Sequence, residues 1–581
     1  MTLSPKTPLE VLFDAGQWTG RRSPDERPRP LLFADDQHPQ HQELWAARVQ
    51  GDHFELVARI AESSPFNLHW AMLFHKHHVM LIHDDQTIHE SKQLVERADF
   101  NHPSLTDLCH LPFVTIDNQD SRDLDQALYV DATENGFVVW YALADASYYV
   151  DSQSHLFQQA AVRGSSYYLP GLSAPMLPRI LCEDLISLNP HVIRRALVFE
   201  IALNREGRVL ETQVHRAKIK SRHKLSYPGV QAMLDGDVEA PDDCGSSLRA
   251  LQQVGRIRMK LASEHQAIRF RHRSIDVRVS EHHPLKFSVG SNQALPVERY
   301  NEQLSLMCNI EGAKLITRHA SEDVQSIFKV HPAPQPHDLE QFARLTSITA
   351  THYRLPHDPW VWQGPDVQSL AEYLERLPIE GPHHRVTWAL DRQARMLNHR
   401  SSFQDEPGLH FGIGAPIYAR FSAPMREAVG IFTHKELLEA LGAVPRTSRE
   451  RDEQIRDRII KSGNRAKDIQ GRLTKEGNLL ILDQFFQHEL RKDPTPRHPS
   501  TVLGLTATKA YVQMDDPPIE VKLYRADVEQ QFGCELVLNG PGTAWTTLNH
   551  KTILSLGSAI ELEVDHRDDT RNRWIFRVHT H

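Results

Sequence analysis

The 581-residue sequence has no excess of basic residues: its formal net charge is −9, so any path for a polyanion must be locally rather than globally cationic. It also has no apolar run near the roughly 20 residues that span a bilayer, which predicts no membrane association. Met1–Glu10 carries neither the basic nor the apolar part of a secretory leader, and a cytoplasmic location is expected. Cysteine is scarce. The five thiols, at 109, 182, 244, 308 and 534, are an odd and scattered set with no CxxC pair, which argues against both a disulfide framework and a zinc site. Repeats and low-complexity tracts are absent too. What is present is an ordinary soluble composition, 40% hydrophobic and 24% charged, in a chain too long for one core, so three or four domains of roughly 100 to 200 residues each are expected.

The first hundred residues alternate short apolar runs, HFELVARI and HVMLIHDD, with turns rich in Pro and Asp. They predict a small β-containing domain over 1–100, OB-like or winged-helix. His75, His77 and His78 in HKHH have no acid or Cys at ligand spacing and read as a solvated turn. From 105 to about 490 strands and helices mix, which predicts an α+β body. FVTID, ALYV and FVVWYAL read as strands, while SSLRALQQVGRIRMKLASEHQAI and VERYNEQLSLMCNIEGAKLI have helical periodicity. RTSRERDEQIRDRIIKSGNRAKDIQGRL and LLILDQFFQHEL read as further helices whose charges nearly balance, and hence as solvated faces. The three prolines of KDPTPRHPS break the helix, and five strand-like runs within 500–581 suit a small OB-type barrel. The predicted fold class is thus multidomain α+β.

One segment carries chemistry. FVTIDNQDSRDLDQALYV places Asp117, Asp120, Asp123 and Asp125 within nine residues, between two strand-like runs. Their mutual repulsion is costly unless cations or basic groups neutralise them. Oxygen-only ligands suit Mg²⁺ or Mn²⁺, ions that promote phosphodiester hydrolysis. An exposed acidic hairpin turn accounts for the same residues, since Asp and Asn form turns readily. An EF-hand does not, because Arg122 stands where its turn glycine belongs.

Several segments together are similar to the RNB family of 3′→5′ exoribonucleases, the ribonuclease II and ribonuclease R group. They are Asp117 followed by Asp123, Leu124, Asp125 and Gln126; ALADASYYV, with Asp145 at a strand end; SSYYLPGLSAPMLPRILCEDLISL; YNEQLSLMCNIEGAKLI; and HFGIGAPIYARFSAPMREAVGIFTHKELL. The match runs in order over about residues 105 to 440. It implies an RNB-type catalytic domain over 105–490, flanked by RNA-binding domains, in a monomer that degrades single-stranded RNA with Mg²⁺ or Mn²⁺ and no small-molecule cofactor. It implies Asp117, Asp123, Asp125 and Gln126 as metal positions, with Asp125 also catalytic. Arg426 would contact the scissile phosphate, Tyr168 would stack on a base near the 3′ end, and Glu302 would hydrogen-bond a terminal nucleotide. Taken singly, Tyr168 also reads as a core aromatic, and Arg426 and Glu302 as surface ion-pair formers.

The chain departs from the family pattern at four places. Gln126 replaces an aspartate, which predicts one weakened metal position. Val277 stands where an aromatic clamps bases. Glu427 to Gly430 replace the usual Arg-x-Tyr-x-Asp residues after the arginine, and the family's second catalytic glutamate, near 470 to 480, has no clear match beyond Glu476. These departures keep a second expectation in play: a degenerate RNA binder or an oligonucleotide-specific hydrolase.

Overall fold

The computed structural model describes residues 6–14, 17–64, 66–100, 102–271, 274–279, 287–292 and 294–580, and of 274–279 and 287–292 only the backbone. Val277 lies on one of these strands, and the role expected of its side chain falls outside the described residues.

Five strands form the N-terminal unit: β1 (Lys6–Asp14), β2 (Gln17–Arg21), β3 (Arg29–Leu32), β4 (Leu44–Gln50) and β5 (His53–Ala61). They close in the order β1-β2-β3-β5-β4 with β3 and β5 parallel, the arrangement of a small OB-type barrel. Leu9, Val11, Trp45 and Phe54 fill its interior. Gly20 lets so small a barrel close, since a Cβ there would stand 2.8 Å from the side chains of Leu9 and Leu31. HVMLIHDD forms no strand. Residues 77–84 are turns and irregular backbone, and Val79 and Leu81 are apolar because they pack with Trp70 and Phe74. HKHH straddles the end of the helix Asn67–Lys76: His75 and Lys76 are its last residues, and His77 and His78 form the turn that follows.

The body is built on a seven-stranded sheet. Its strands are β6 (Thr106–Asp107), β7 (Val114–Asp117), β8 (Gln126–Thr133), β9 (Gly136–Ala144), then, beyond the short hairpin β10 (Tyr167–Leu169) and β11 (Leu172–Ala174), β12 (Ile193–Asn204), β13 (Val209–Lys220) and β14 (His223–Ser226). The order is β14-β7-β8-β9-β12-β13-β6. FVVWYALA on β9 reads as nearly unbroken hydrophobic sequence because both faces of that strand are covered. Val139, Tyr141 and Leu143 join the core beneath the helices Gly245–Glu264 and Pro296–Arg318, while Ala142 and Ala144 face the helices His155–Arg163 and Ala428–Ala440.

The two charged segments expected as separate helices are one, Arg449–Glu489, 41 residues long. It runs past the N-terminal unit, where Glu476 bridges Lys76 at 2.8 Å and His77 at 3.1 Å. It ends with Phe485 and Phe486 inside the C-terminal core. Gly477 permits the close approach of β10, because a Cβ would meet Leu169 at 2.9 Å. No helix among the described residues is long and apolar enough to cross a membrane.

The C-terminal unit has eight strands, not five. TVLGLTATKAYVQM folds back on itself as Arg497–Leu505 and Lys509–Met514, and Ala544–Thr547 and Thr552–Ser555 are too short to stand out in sequence. Five strands form one sheet and three another around a shared core. The helix Arg525–Phe532 packs against both edge strands of the larger sheet, Glu520–Tyr524 and Arg573–Thr580.

Candidate active site

The aspartate loop is the link from β7 to β8. Asp117 ends β7 and Asp125 immediately precedes β8, so the sheet itself fixes both ends. Between them Ser187 holds the chain, accepting from Leu124 N at 3.0 Å and donating to Arg122 O at 2.8 Å. Leu188 N donates to Leu124 O at 3.0 Å. Asp117 Oδ1 accepts from Asn118 N at 2.7 Å and from the Ser121 hydroxyl at 2.9 Å, which turns its other oxygen outward.

That oxygen faces Arg426. The guanidinium lies 3.6 Å from Asp117, 3.7 Å from Asp123 and 2.5 Å from Asp125, so carboxylates that would repel one another converge on a single cation. Asp125 is 1% exposed and also accepts from Met425 N at 2.8 Å. Burial pushes its carboxyl up to about 6, against the lowering effect of Arg426. Burial raises Asp123 as well. For Arg426, burial opposes the charge, but Asp125 and Asp123 outweigh it and hold the guanidinium above its ordinary value.

Arg426 and Tyr168 are set by one backbone crossing that no motif announces. Ser166 N and Ser165 Oγ both donate to Arg426 O at 2.9 Å, and Ala428 N donates to Gly164 O at 3.0 Å. Gly164, at φ +75°, is the hinge of this crossing; a Cβ there would stand 2.7 Å from Ser462 O. Two residues past Ser166, the Tyr168 phenol donates to Asp123 at 3.2 Å while 43% of the residue remains exposed. Burial of its oxygen end and the Asp123 charge push the phenol above its ordinary value. Gln470 of the long helix clamps Tyr168 like a strand partner, accepting from its N–H and donating to its carbonyl, both at 2.9 Å. The sequence offered no sign of Gln470, because it lies 302 residues from Tyr168.

Two cavities meet at Tyr168 and Arg426. One, of about 690 Å³, holds Asp117, Asp120 and Asp123 and is walled by Arg59, Ile60 and Ala61 of β5, so the N-terminal barrel forms part of the site. The other, of about 520 Å³, is lined by Gln126, Lys329, Arg420, Glu427 and Lys467. Gln126 therefore lies on the other side of Arg426, with its amide oxygen accepting from the Tyr141 phenol. Arg420, 3.1 Å from Glu427, and Lys329 hold the Glu427 carboxyl below its usual range despite burial. Burial lowers Lys329 to about 8. Glu302 lines a third cavity, of about 750 Å³, that shares no lining residue with the other two, and burial raises its carboxyl. Glu476 lines none of the three. Asp145 is fully buried and paired with Arg216 at 3.1 Å, a strut of the sheet rather than a wall of the site.

The donor chemistry fits a hard divalent cation. Three carboxylates face one guanidinium, which leaves two negative charges uncompensated where the oxygens converge.

The RNB domain profile matches residues 105–443. Ribonuclease R of Escherichia coli is 27% identical over 335 residues, which are 57% of this chain and 40% of that protein. Exoribonuclease 2 of Edwardsiella piscicida is 26% identical over 463 residues, 72% of this chain and 69% of that one. The chain spans less than half the length of several ribonuclease R relatives, 40% to 49%. Among solved structures, Mycoplasma genitalium RNase R in complex with ribose-methylated single-stranded RNA superposes with a TM-score of 0.77 at 18% identity, covering 99% of this chain and 90% of that one.

Proposed function

This chain belongs to the RNB family, and from that membership and the aspartate geometry we propose that it is a 3′→5′ exoribonuclease, hydrolysing single-stranded RNA to nucleoside 5′-monophosphates. The observation that carries the reading is the convergence of Asp117, Asp123 and Asp125 on Arg426 at the junction of two cavities. Asp117, Asp123 and Asp125 would hold Mg²⁺ or Mn²⁺, which when bound supplies charge for an attacking water and a leaving oxygen. Arg426 neutralises the charge that grows on the phosphoryl oxygens, and its fixed fork of donors suits that task. Tyr168, 43% exposed beside Asp123, offers an aromatic ring on which a terminal base stacks, at about 1–3 kcal/mol per base. The cations Lys329, Arg420 and Lys467 give the second cavity the locally basic lining that the acidic chain needs for RNA. Glu302, in a cavity of its own, would contact a nucleotide only outside this junction.

A second reading, an RNA binder with little hydrolysis, draws on Gln126, Glu427 and Glu476. All three are engaged by Tyr141, Arg420 and Lys76 respectively. At Gly430, one of the departures after the arginine, a Cβ would stand 2.9 Å from Pro424 Cα, so the backbone there has no room for a side chain without shifting. Purified protein incubated with 3′- and 5′-labelled single-stranded RNA and Mg²⁺ or Mn²⁺ separates the two. Mononucleotides released from the 3′ end support the exonuclease; tight binding without products supports the binder.

A further inference from the structure

Away from the aspartate loop, at the β14 edge of the central sheet, three side chains of different chemistry converge. His223 opens β14, while Asp243 and Cys244 immediately precede the helix Gly245–Glu264. His223 Nε2 lies 2.8 Å from Asp243 Oδ1. One ligand atom from each of the three, including the Cys244 sulfur, lies within 4.8 Å of the other two. Nitrogen, thiol sulfur and carboxylate oxygen together are the donors of zinc, in contrast to the all-oxygen aspartate loop. Tetrahedral zinc, with ligand bonds of about 2.0–2.3 Å, wants its donors roughly 3.3–3.8 Å apart, so closing the site takes about an ångström of movement.

That movement would fall to the exposed members: Cys244 is buried in the core, whereas the His223 and Asp243 side chains are 30% and 47% exposed. His191 packs edge-on against His223 with ring centroids 6.4 Å apart. A different cluster, Glu436, Glu439 and Asp452, makes the contrast. There Lys435 Nζ already sits 2.7–2.9 Å from all three carboxylates and serves as their cation. Among the described residues no lysine or arginine plays that part for His223, Asp243 and Cys244, where His223 and Asp243 hydrogen-bond each other.

The geometry points to a second metal site, formed by His223, Asp243 and Cys244 and selective for a borderline ion such as Zn²⁺. Its occupation clips the segment before Gly245–Glu264 to β14. That strand pairs in parallel with β7, in the register Ser226 to Asp117, so the clip steadies the sheet edge that ends in the aspartate loop.

Titration of the full chain with Co²⁺ tests this. One equivalent should give a near-ultraviolet thiolate-to-cobalt charge-transfer band that an equivalent of Zn²⁺ abolishes. Cys244→Ser should lose the band, and Asp125→Asn, which alters the aspartate loop, should keep it. His223→Gln, at a partly exposed position, should weaken Zn²⁺ binding by at least about tenfold in a competition titration, and this measurement decides the matter even if Cys244→Ser does not fold. Absence of the band in the wild-type chain, its persistence in Cys244→Ser, its loss in Asp125→Asn, or unchanged Zn²⁺ affinity in His223→Gln would each overturn the assignment.

Discussion

Asp125→Asn is the most informative substitution because its two consequences separate. Both partners of Asp125 are donors, Arg426 Nε at 2.5 Å and Met425 N at 2.8 Å. An amide has one acceptor oxygen, so either way round one buried donor faces an NH₂ group, a mismatch that costs about 1–3 kcal/mol. The cost stays at that level, and not at the 3–5 kcal/mol typical of a broken buried pair, because Asp117 and Asp123 remain 3.6 and 3.7 Å from the guanidinium. The chain therefore folds. Burial also holds the Asp125 carboxyl at about 6 rather than 3.8; removing its charge returns up to about 3 kcal/mol at neutral pH, which offsets the mismatch. Catalysis has no such offset, since the substitution removes a charge from the metal position and loosens the fork that receives the phosphate. A fall in single-turnover rate of at least about 100- to 1000-fold is expected, with RNA affinity changed no more than a few-fold, since the basic lining of the second cavity, Lys329, Arg420 and Lys467, is untouched. Single-turnover cleavage and filter binding in Mg²⁺ measure the two. A rate within threefold of wild type, or affinity falling in step with rate, would refute the reasoning.

Tyr168→Ala should lengthen the limit product by a nucleotide or more as stacking of about 1–3 kcal/mol per base is lost, and Gln470→Ala should do so more weakly by releasing the backbone that carries the ring; gel analysis of end products checks both. Gln126→Asp should leave the Mg²⁺ titration of activity within about twofold of wild type, because residue 126 lies across Arg426 from Asp117 and Asp123; a shift to lower Mg²⁺ would restore the sequence-based expectation of a weakened metal position. Activity should fall as pH drops through about 6, where Asp125 takes up its proton, and raising Mg²⁺ should move that midpoint down, since metal competes with the proton; rates across pH at two Mg²⁺ concentrations decide it. The stability term runs the other way: a carboxyl raised by burial favours the fold most below its unfolded value near 4, and that contribution is lost as pH rises through about 6, so Asp125→Asn should flatten the pH dependence of urea midpoints in that window.

The sequence by itself determined the body of the molecule. Period-2 and period-3.6 patterns found β7, β8, β9 and the helices Gly245–Glu264 and Pro296–Arg318, because hydrophobic burial on one or both faces writes itself into local spacing. The density of aspartates between 117 and 125 left a bound cation and an exposed acidic turn both open. Other features depended on neighbours far along the chain. HVMLIHDD is apolar through packing on Trp70 rather than strand pairing, and Gly477 stands inside the helix Arg449–Glu489 where β10 approaches closely. The side chains of Gln126 and Glu476 take their direction from Tyr141 and Lys76. Only the tertiary structure decided which cation the aspartates meet first: Arg426 lies some 300 residues from Asp125, aimed by a backbone crossing with Ser165 and Ser166. Such long-range pairings obey hydrogen-bond geometry and packing, which leave no periodic trace in the residues that make them.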